Sequence, residues 1–507
     1  MSLRYSNVLR TFLGIYAGIS TWLVSRSGAL AWDESVFALA GRTLKEKGYS
    51  VPLSELPNWS SLRAPGFPYI LSLIFRALPA SDFVVRMVSV AGSVFLLWVL
   101  SRILLRFAGE YASIFGTVII AFTPGFLLTG TMAFGDNIAA SIALFGVLSI
   151  FNYVEGKDKR NDAILVVSPL LIGLATVIRY GIPFVVFLPL AVIAFQIWKR
   201  SKASGDFTPA WKVSVSIAFA AVMSWVVIFR DPLSAGSSAA SARSASTSSP
   251  FSKGLSELLA TLRPGKVHYG FTGHHWGPIF FVLVVVPLLL GVVYCLLTEK
   301  NKFRNLGILV MAIFPMVCYA VLTRLFVVTY ASPLVAIAIA VCVVIIFNSD
   351  LGSSIVPVHS TAAAKAVLFV LIGASTLAAV ASVREEHRGL RGFDGVAEMA
   401  QIGGIIGGDS CSIRTQRGPQ VQWYSGCRTM PASPSSIGVS SAEEFRGWIE
   451  SELATLAPGQ LRQFVLLENL RNQVEVEWIY SSLEVYPEVD VLEVGKSRRT
   501  ILVILRA

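Results

Sequence analysis

The sequence predicts a polytopic α-helical membrane protein with a small soluble α/β domain at its C-terminal end. Three observations carry that expectation. Of the 507 residues, 54% are hydrophobic and only 14% charged, with a mean hydropathy of +0.65. Apolar stretches of spanning length succeed one another as far as residue 383. From residue 384 the spans stop, charge returns, and strand and helix patterns alternate.

The candidate spans lie near 11–29, 84–107, 112–130, 138–154, 163–179, 181–198, 212–229, 278–297, 306–322, 327–347 and 366–383. That is roughly eleven helices by the criterion of about twenty apolar residues per crossing. Lys and Arg orient them. Arg4 and Arg10 precede the first span, and Arg102 and Arg106 end the second. Lys157, Lys159 and Arg160 follow the fourth, Lys199, Arg200 and Lys202 the sixth, and Lys300, Lys302 and Arg304 the eighth. Every second loop is basic. The expectation is a multi-pass cell-membrane protein with a cytoplasmic N-terminus and an extracytoplasmic C-terminal domain. Arg4, Arg10 and Ala29-Leu30-Ala31 also fit a cleaved signal peptide, but retention as the first helix is the better reading. The net charge of +11 is then mostly a topology signal, and no basic cluster coincides with a nucleic-acid module.

Residues 1–383 form the expected membrane domain, with long outer segments at 30–83 and 230–277. In the first, Glu34 to Glu46 reads as an amphipathic helix, and Phe67–Leu78 is too short to span and fits a helix at the interface. The second opens with the Ser/Ala tract Ser234 to Ser249, which has little to fold around, followed by an amphipathic pattern at 251–262. In 384–507, Phe393–Ile402 and Ala442–Leu456 read as helices. Ser412–Arg414, Val421–Tyr424, Gln463–Leu467 and Thr500–Leu505 read as strands. Cys295, Cys318 and Cys342 lie in spans as small buried hydrophobes. Cys411 and Cys427 lie in the C-terminal part, where Gly418-Pro419 can turn the chain between them. A disulfide and two unpaired thiols are both open.

Polar residues at the outer membrane exits are the candidates for chemistry. Asp33-Glu34 opens the first outer segment, and Asp136 follows another apolar segment on the same expected side. As plain structure, Asp33 would cap the helix that follows, and Gly135-Asp136-Asn137 would turn into and cap the fourth span. Glu34 favours a helix N-terminus. Arg63, Arg179 and Arg324 sit at outer ends, where arginine suits a lipid phosphate, although cations there also snorkel to headgroups. His268, His274 and His275 lie in the second outer segment without metal-type spacing.

In order and spacing, Asp33-Glu34, Arg63-Ala64-Pro65-Gly66, Arg86-Met87-Val88-Ser89, Thr123-Pro124 and Asp136 resemble the GT-C glycosyltransferases. The similarity is strongest to the protein O-mannosyltransferase and lipid A aminoarabinose-transferase branch, and it covers roughly residues 1–347. It departs where Arg63-Ala64-Pro65 replaces a Lys-Pro-Pro or His-Pro-Pro, and where Met87-Val88 replaces Leu-Pro. The resemblance implies a GT-C-like fold and a polyprenyl-phosphate-linked sugar as donor, dolichyl phosphate mannose being one such compound. The acceptor would be a protein, lipid or glycan reached from outside the cytoplasm, with inversion at the anomeric carbon. It gives Asp33 the role of base and Asp136 that of acceptor orientation or metal coordination. Arg63, Arg179, Arg324 and Tyr330 become donor-phosphate ligands. A divalent metal ion stays open, with Asp33, Asp136, His268, His274 and His275 as its candidate ligands. A rival reading is a transporter or lipid flippase, which calls for charged or broken positions at mid-membrane and for related halves. Here the charges cluster at outer ends and no two-fold repeat is evident. A catalytically inactive scaffold is a third reading, opposed by the presence of both Asp33 and Asp136.

Overall fold

The structure, a computed structural model, describes residues 3–28, 30–49, 63–155, 162–230, 277–299, 302–323, 328–349, 362–389, 412–414, 418–426, 428–430, 462–467, 489–494 and 500–506, together with single positions at 256, 258 and within 441–450. It divides into two compact units. The first holds residues 1–26, 60–71 and 83–386, and the second 27–59, 72–82 and 387–507. Residues 30–83 are thus divided between the units.

In the first unit, α1 (Leu3–Ser25) is followed by the start of α3 (Gly66–Ala77) and by α4 (Asp82–Ala121). Next come α5 (Pro124–Thr131), α6 (Asp136–Val154), α7 (Ile164–Ile178), α8 (Ile182–Ser204) and α9 (Thr208–Arg230). A short α10 (Gly277–Phe280) passes through a π-helical turn, Phe281–Val285, into α11 (Val286–Thr298). The turn precedes Pro287, which has no N–H to donate and displaces a carbonyl one turn back, so the widened turn absorbs the misfit. Last are α12 (Lys302–Thr323), α13 (Val328–Phe347) and α14 (Ala362–Gly389). Six helices among the described residues are long and apolar enough to cross a membrane. This is a multi-pass membrane protein.

The spans expected at 84–107 and 112–130 are separated as the sequence suggested: α4 consists of two helical arms that meet where Gly109 adopts φ 86°, and the second expected span continues into α5. Glycine tolerates that left-handed value because it has no Cβ. The second arm folds back on the first: the Ser113 hydroxyl donates to Ser101 O at 2.6 Å, and Gly116 lies against Leu104. Asn348 Nδ2 donates to Phe107 O, exposed by the break, at 2.9 Å. The second arm then stops at Ala121, because Thr123 before Pro124 is extended (φ −65°, ψ 123°) and α5 starts afresh.

At the C-terminal end of α6, Arg106 pairs with Glu155 at 3.0 Å and Arg200 donates to Val154 O at 2.9 Å. The opposite end of α6, about 27 Å away at 1.5 Å per residue, begins with Asp136. Arg106 and Arg200 therefore lie at the end of α6 opposite Asp136.

The second unit contains α2 (Trp32–Lys47), the end of α3, α15 (Gly418–Ser425) and a five-stranded mixed sheet. Its strands are β1 (Ser412–Arg414), β2 (Arg428–Met430), β3 (Arg462–Leu467), β4 (Val489–Val494) and β5 (Thr500–Arg506), in the order β2-β1-β3-β5-β4. β1 pairs parallel with β2 and β3; β5 pairs antiparallel with β3 and β4. β5 is flanked on both edges, by β3 and β4. Val421–Tyr424, expected as a strand, is helical: Gly418-Pro419 does not turn the chain but opens α15, proline being favourable in a first helical turn. β2 and β4 were not anticipated from the sequence. Residues 443, 444, 446, 447 and 450 are helical, in line with Ala442–Leu456. Phe393–Ile402, the Ser234–Ser249 tract, nearly all of 251–262, Cys411 and Cys427 lie outside the described residues.

Candidate functional site

In the first unit, the site is built where three helix ends meet. Helix α6 starts at Asp136, with Gly135 rather than Asp136 as its N-cap residue. Asp136 therefore does not cap, as the sequence alone suggested. Its side chain, 2% exposed, meets Arg179 Nε at 2.7 Å. Arg179 is the C-cap of α7, extended at φ −152° and ψ 118°, which turns its side chain away from the helix axis. A buried carboxylate persists ionised only beside a compensating charge, and this guanidinium supplies it.

The start of α3 closes on the same place. A Cβ on Gly66 would lie 2.8 Å from Ile178 Cα and N, so Gly66 is the residue that allows α3 to reach the end of α7. Gly135 faces Phe67 and Ile178, where a Cβ would meet side-chain carbons at 3.0 and 3.1 Å. Arg63, half-buried and three residues before Gly66, is thereby brought to the end of the bundle that holds Asp136 and Arg179. Tyr319 of α12 lies in electrostatic range of both Arg179 and Asp136 and packs edge-on against Phe184. Sequence reasoning missed it, because a tyrosine in an apolar span looks like core.

Behind Asp136, a buried polar chain fixes the α6 start. Asn137 Nδ2 donates to Ser93 Oγ at 2.8 Å, and the Ser332 hydroxyl donates to Asn137 Oδ1 at 3.3 Å. The Ser89 hydroxyl donates to Phe134 O at 2.8 Å. These bonds join α4, α6 and α13, so the first turn of α6 cannot shift without breaking them. Arg86 is also fully buried in α4.

The family model for dolichyl-phosphate-mannose-protein mannosyltransferase matches residues 62–228, the segment that contributes Arg63, Asp136 and Arg179. No curated protein matches by sequence. Among solved structures, the chain is similar to ArnT from Cupriavidus metallidurans bound to undecaprenyl phosphate. The TM-score is 0.60 at 13% identity, covering 97% of each chain. The apo state of that protein aligns with a TM-score of 0.57 at 12% identity over 98% of both chains. An Archaeoglobus fulgidus oligosaccharyltransferase tethered to an acceptor peptide follows, with a TM-score of 0.52 at 13% identity over 96% of this chain and 71% of that one. The chain has a GT-C fold.

Asp33 and Glu34, the first acids of this GT-C fold, lie in the second unit. Asp33 does not cap α2; the N-cap position is Ala31, and Asp33 sits in the first turn, half-buried. Glu34 does the capping by reaching back: its Oε2 accepts from Ala31 N at 2.7 Å, and the side chain is fully buried. Further along α2, burial draws the Arg42 pKa below its ordinary value, while Glu46, one turn on, raises it.

Arg324, His268, His274 and His275 lie outside the described residues; Tyr330 falls in α13, but its side chain does not belong to them. Among the described residues, no group of three or more His, Cys, Asp or Glu side chains comes together to hold a metal ion. Asp136 has its charge met by a guanidinium, and the three histidine candidates lie outside the described residues.

Proposed function

We propose that this protein is an integral-membrane glycosyltransferase. It transfers a hexosyl or pentosyl group from a polyprenyl-phosphate-linked donor to an acceptor on the extracytoplasmic side, with inversion. The observation that carries the proposal is the buried Asp136–Arg179 pair. Both residues lie inside the segment matched by the mannosyltransferase family model, and Asp136 opens α6 at the end opposite Arg106 and Arg200. The structure of ArnT bound to undecaprenyl phosphate supports a polyprenyl phosphate as the lipid carrier. The acceptor is a protein, a lipid or a glycan.

In this mechanism Asp33 takes the proton of an acceptor hydroxyl as its oxygen attacks the anomeric carbon. The bond from that carbon to the phosphate oxygen breaks on the opposite face, and the polyprenyl phosphate departs with the electron pair. Arg63 and Arg324 hold the developing phosphate charge, which planar guanidinium forks match. Arg179 adds positive charge while keeping Asp136 ionised to orient the acceptor. The N-terminus is cytoplasmic and the C-terminal domain extracytoplasmic, consistent with the positive-inside pattern.

Purified protein is incubated with a panel of polyprenyl-phosphate sugars, and donor consumption and product linkage are followed. One donor is expected to be consumed, with inverted linkage. Asp33→Asn should lower turnover by about 10²- to 10⁴-fold, the usual contribution of a general base, while the variant still folds. Wild-type turnover in Asp33→Asn would remove Asp33 from the chemistry. Loss of turnover on EDTA with recovery on a divalent salt would add a metal ion to this mechanism, and turnover that survives EDTA would leave it out.

A further inference from the structure

In the second unit, α15 grips the residues leading into α2, and the contacts are made by polar groups as well as by packing. Tyr424 Oη accepts from Leu30 N at 2.8 Å, and Gln420 Nε2 donates to Leu30 O at 3.1 Å. Ala31 N donates to Glu34, and Ala31 O accepts from Ser35 N at 2.9 Å. Every backbone polar group from Leu30 N to Ala31 O is therefore bonded, and Leu30 is fully buried. The Tyr424 hydroxyl spends its one proton on Asp82 Oδ2 at 2.5 Å, beside Trp423 Nε1 on Asp82 Oδ1 at 2.7 Å. That leaves its lone pair for the Leu30 amide and fixes its direction. Arg42 completes the clamp from α2. Its guanidinium lies 4.9 Å from the Trp423 ring centre and donates to Trp423 O at 3.2 Å and to Gln422 O at 3.4 Å. Cations at the carbonyl end of a helix are favourable.

We propose that Tyr424 and Gln420 are positioning residues for Asp33. The inference rests on the reading of Asp33 as the base. Leu30 is three residues before Asp33, and between them the chain has already entered the first turn of α2. Fixing both backbone groups of Leu30 fixes where that turn begins, and with it the Asp33 carboxylate. A base must sit within hydrogen-bond reach of the proton it removes, and a displacement of about 1 Å can cost about a hundredfold in rate. The C-terminal part of the chain thereby acts on the chemistry through α2, without touching substrate. No resemblance in the sequence pointed to Gln420-Val421-Gln422-Trp423-Tyr424.

The test is Tyr424→Phe in the full-length protein, which keeps the ring and removes the hydroxyl. The expected result is a fall in kcat of about tenfold, with KM for the polyprenyl-phosphate donor unchanged and the protein still folded. Amide hydrogen exchange at 30–33 should quicken. In an Asp33→Asn background, Tyr424→Phe should cost nothing further, because its effect runs through the missing carboxylate. If Tyr424→Phe destroys folding, Asp82→Asn weakens the hold on the same hydroxyl and should give a smaller fall of the same kind. An unchanged kcat in a folded Tyr424→Phe, or an equal fall in the Asp33→Asn background, overturns the proposal. Wild-type turnover by Asp33→Asn alone is a different failure: it sinks the assignment of the base.

Discussion

Glu34 and Asp136 begin from the same position and end in different roles. Each is a buried carboxylate in the first turn of a helix, and each follows an apolar segment. Glu34 is held by the main-chain N–H of Ala31, while Asp136 is held by the side chain of Arg179, which is 22% exposed. A backbone amide is a fixed partner that shapes the chain around it. A guanidinium is a charged partner with five N–H donors in a fork wide enough to serve both a carboxylate and a phosphate. The position at a helix N-terminus made both acids look alike; the partner separates them. Glu34 bonds the local backbone, and Asp136 meets a charge from another helix.

The largest effect that can break this contrast comes from Asp136→Asn. It removes the charge of the buried partner in the Asp136–Arg179 pair, and breaking a buried pair from one side costs on the order of 3 kcal/mol. Thermal unfolding in detergent should show the loss, and sugar transfer should fall at least a hundredfold. An Asp136→Asn protein of native stability would mean that the pair is not the element that holds the two helix ends.

Intermediate effects are expected from the two glycines behind the pair. Gly66→Ala forces a methyl group against the backbone of Ile178, which cannot yield, whereas Gly135→Ala meets only side-chain carbons of Phe67 and Ile178. Overpacking of this kind costs about 1–3 kcal/mol, and Gly66→Ala should sit at the top of that range with Gly135→Ala below it. Transfer should fall further in Gly66→Ala, because the α3 start that carries Arg63 moves with it. The reverse order, measured by melting temperature and turnover together, would place the tight contact elsewhere.

Much of this contrast was legible in the sequence, and what was not has physical reasons. Long apolar runs announced α6, α8, α9 and α12, since crossing a bilayer demands length and apolarity from a single segment. The boundary between the spans 84–107 and 112–130 was also legible and falls at Gly109, whereas the positive φ that reverses the chain there has no sequence signature beyond the glycine itself. Asp136 and Arg179 were both candidates, yet their pairing joins residues 43 positions apart and has no local signature. Tyr319 and Tyr424 went unnoticed for the same reason. The Gly418-Pro419 dipeptide misled in the other direction, because the same two residues suit a turn and the first turn of a helix.

The smallest effect belongs to Glu34, and it sharpens the comparison most. Glu34→Gln keeps a carbonyl oxygen at the same reach, so the Ala31 N–H stays bonded and only charge is lost near a helix N-terminus. That loss amounts to about 0.3–1 kcal/mol. Glu34→Ala removes the acceptor and strands a main-chain donor beside a buried side chain, at a cost of about 1–3 kcal/mol. If Glu34 is a structural cap, Gln should retain nearly all stability and turnover while Ala loses both. If Glu34 takes part in proton transfer, Gln should be as inactive as Asp33→Asn while remaining as stable as wild type. Turnover and melting temperature measured on the two variants separate those outcomes. A dead but stable Glu34→Gln would place Glu34 beside Asp33 in the chemistry and erase the distinction drawn here between the two helix starts.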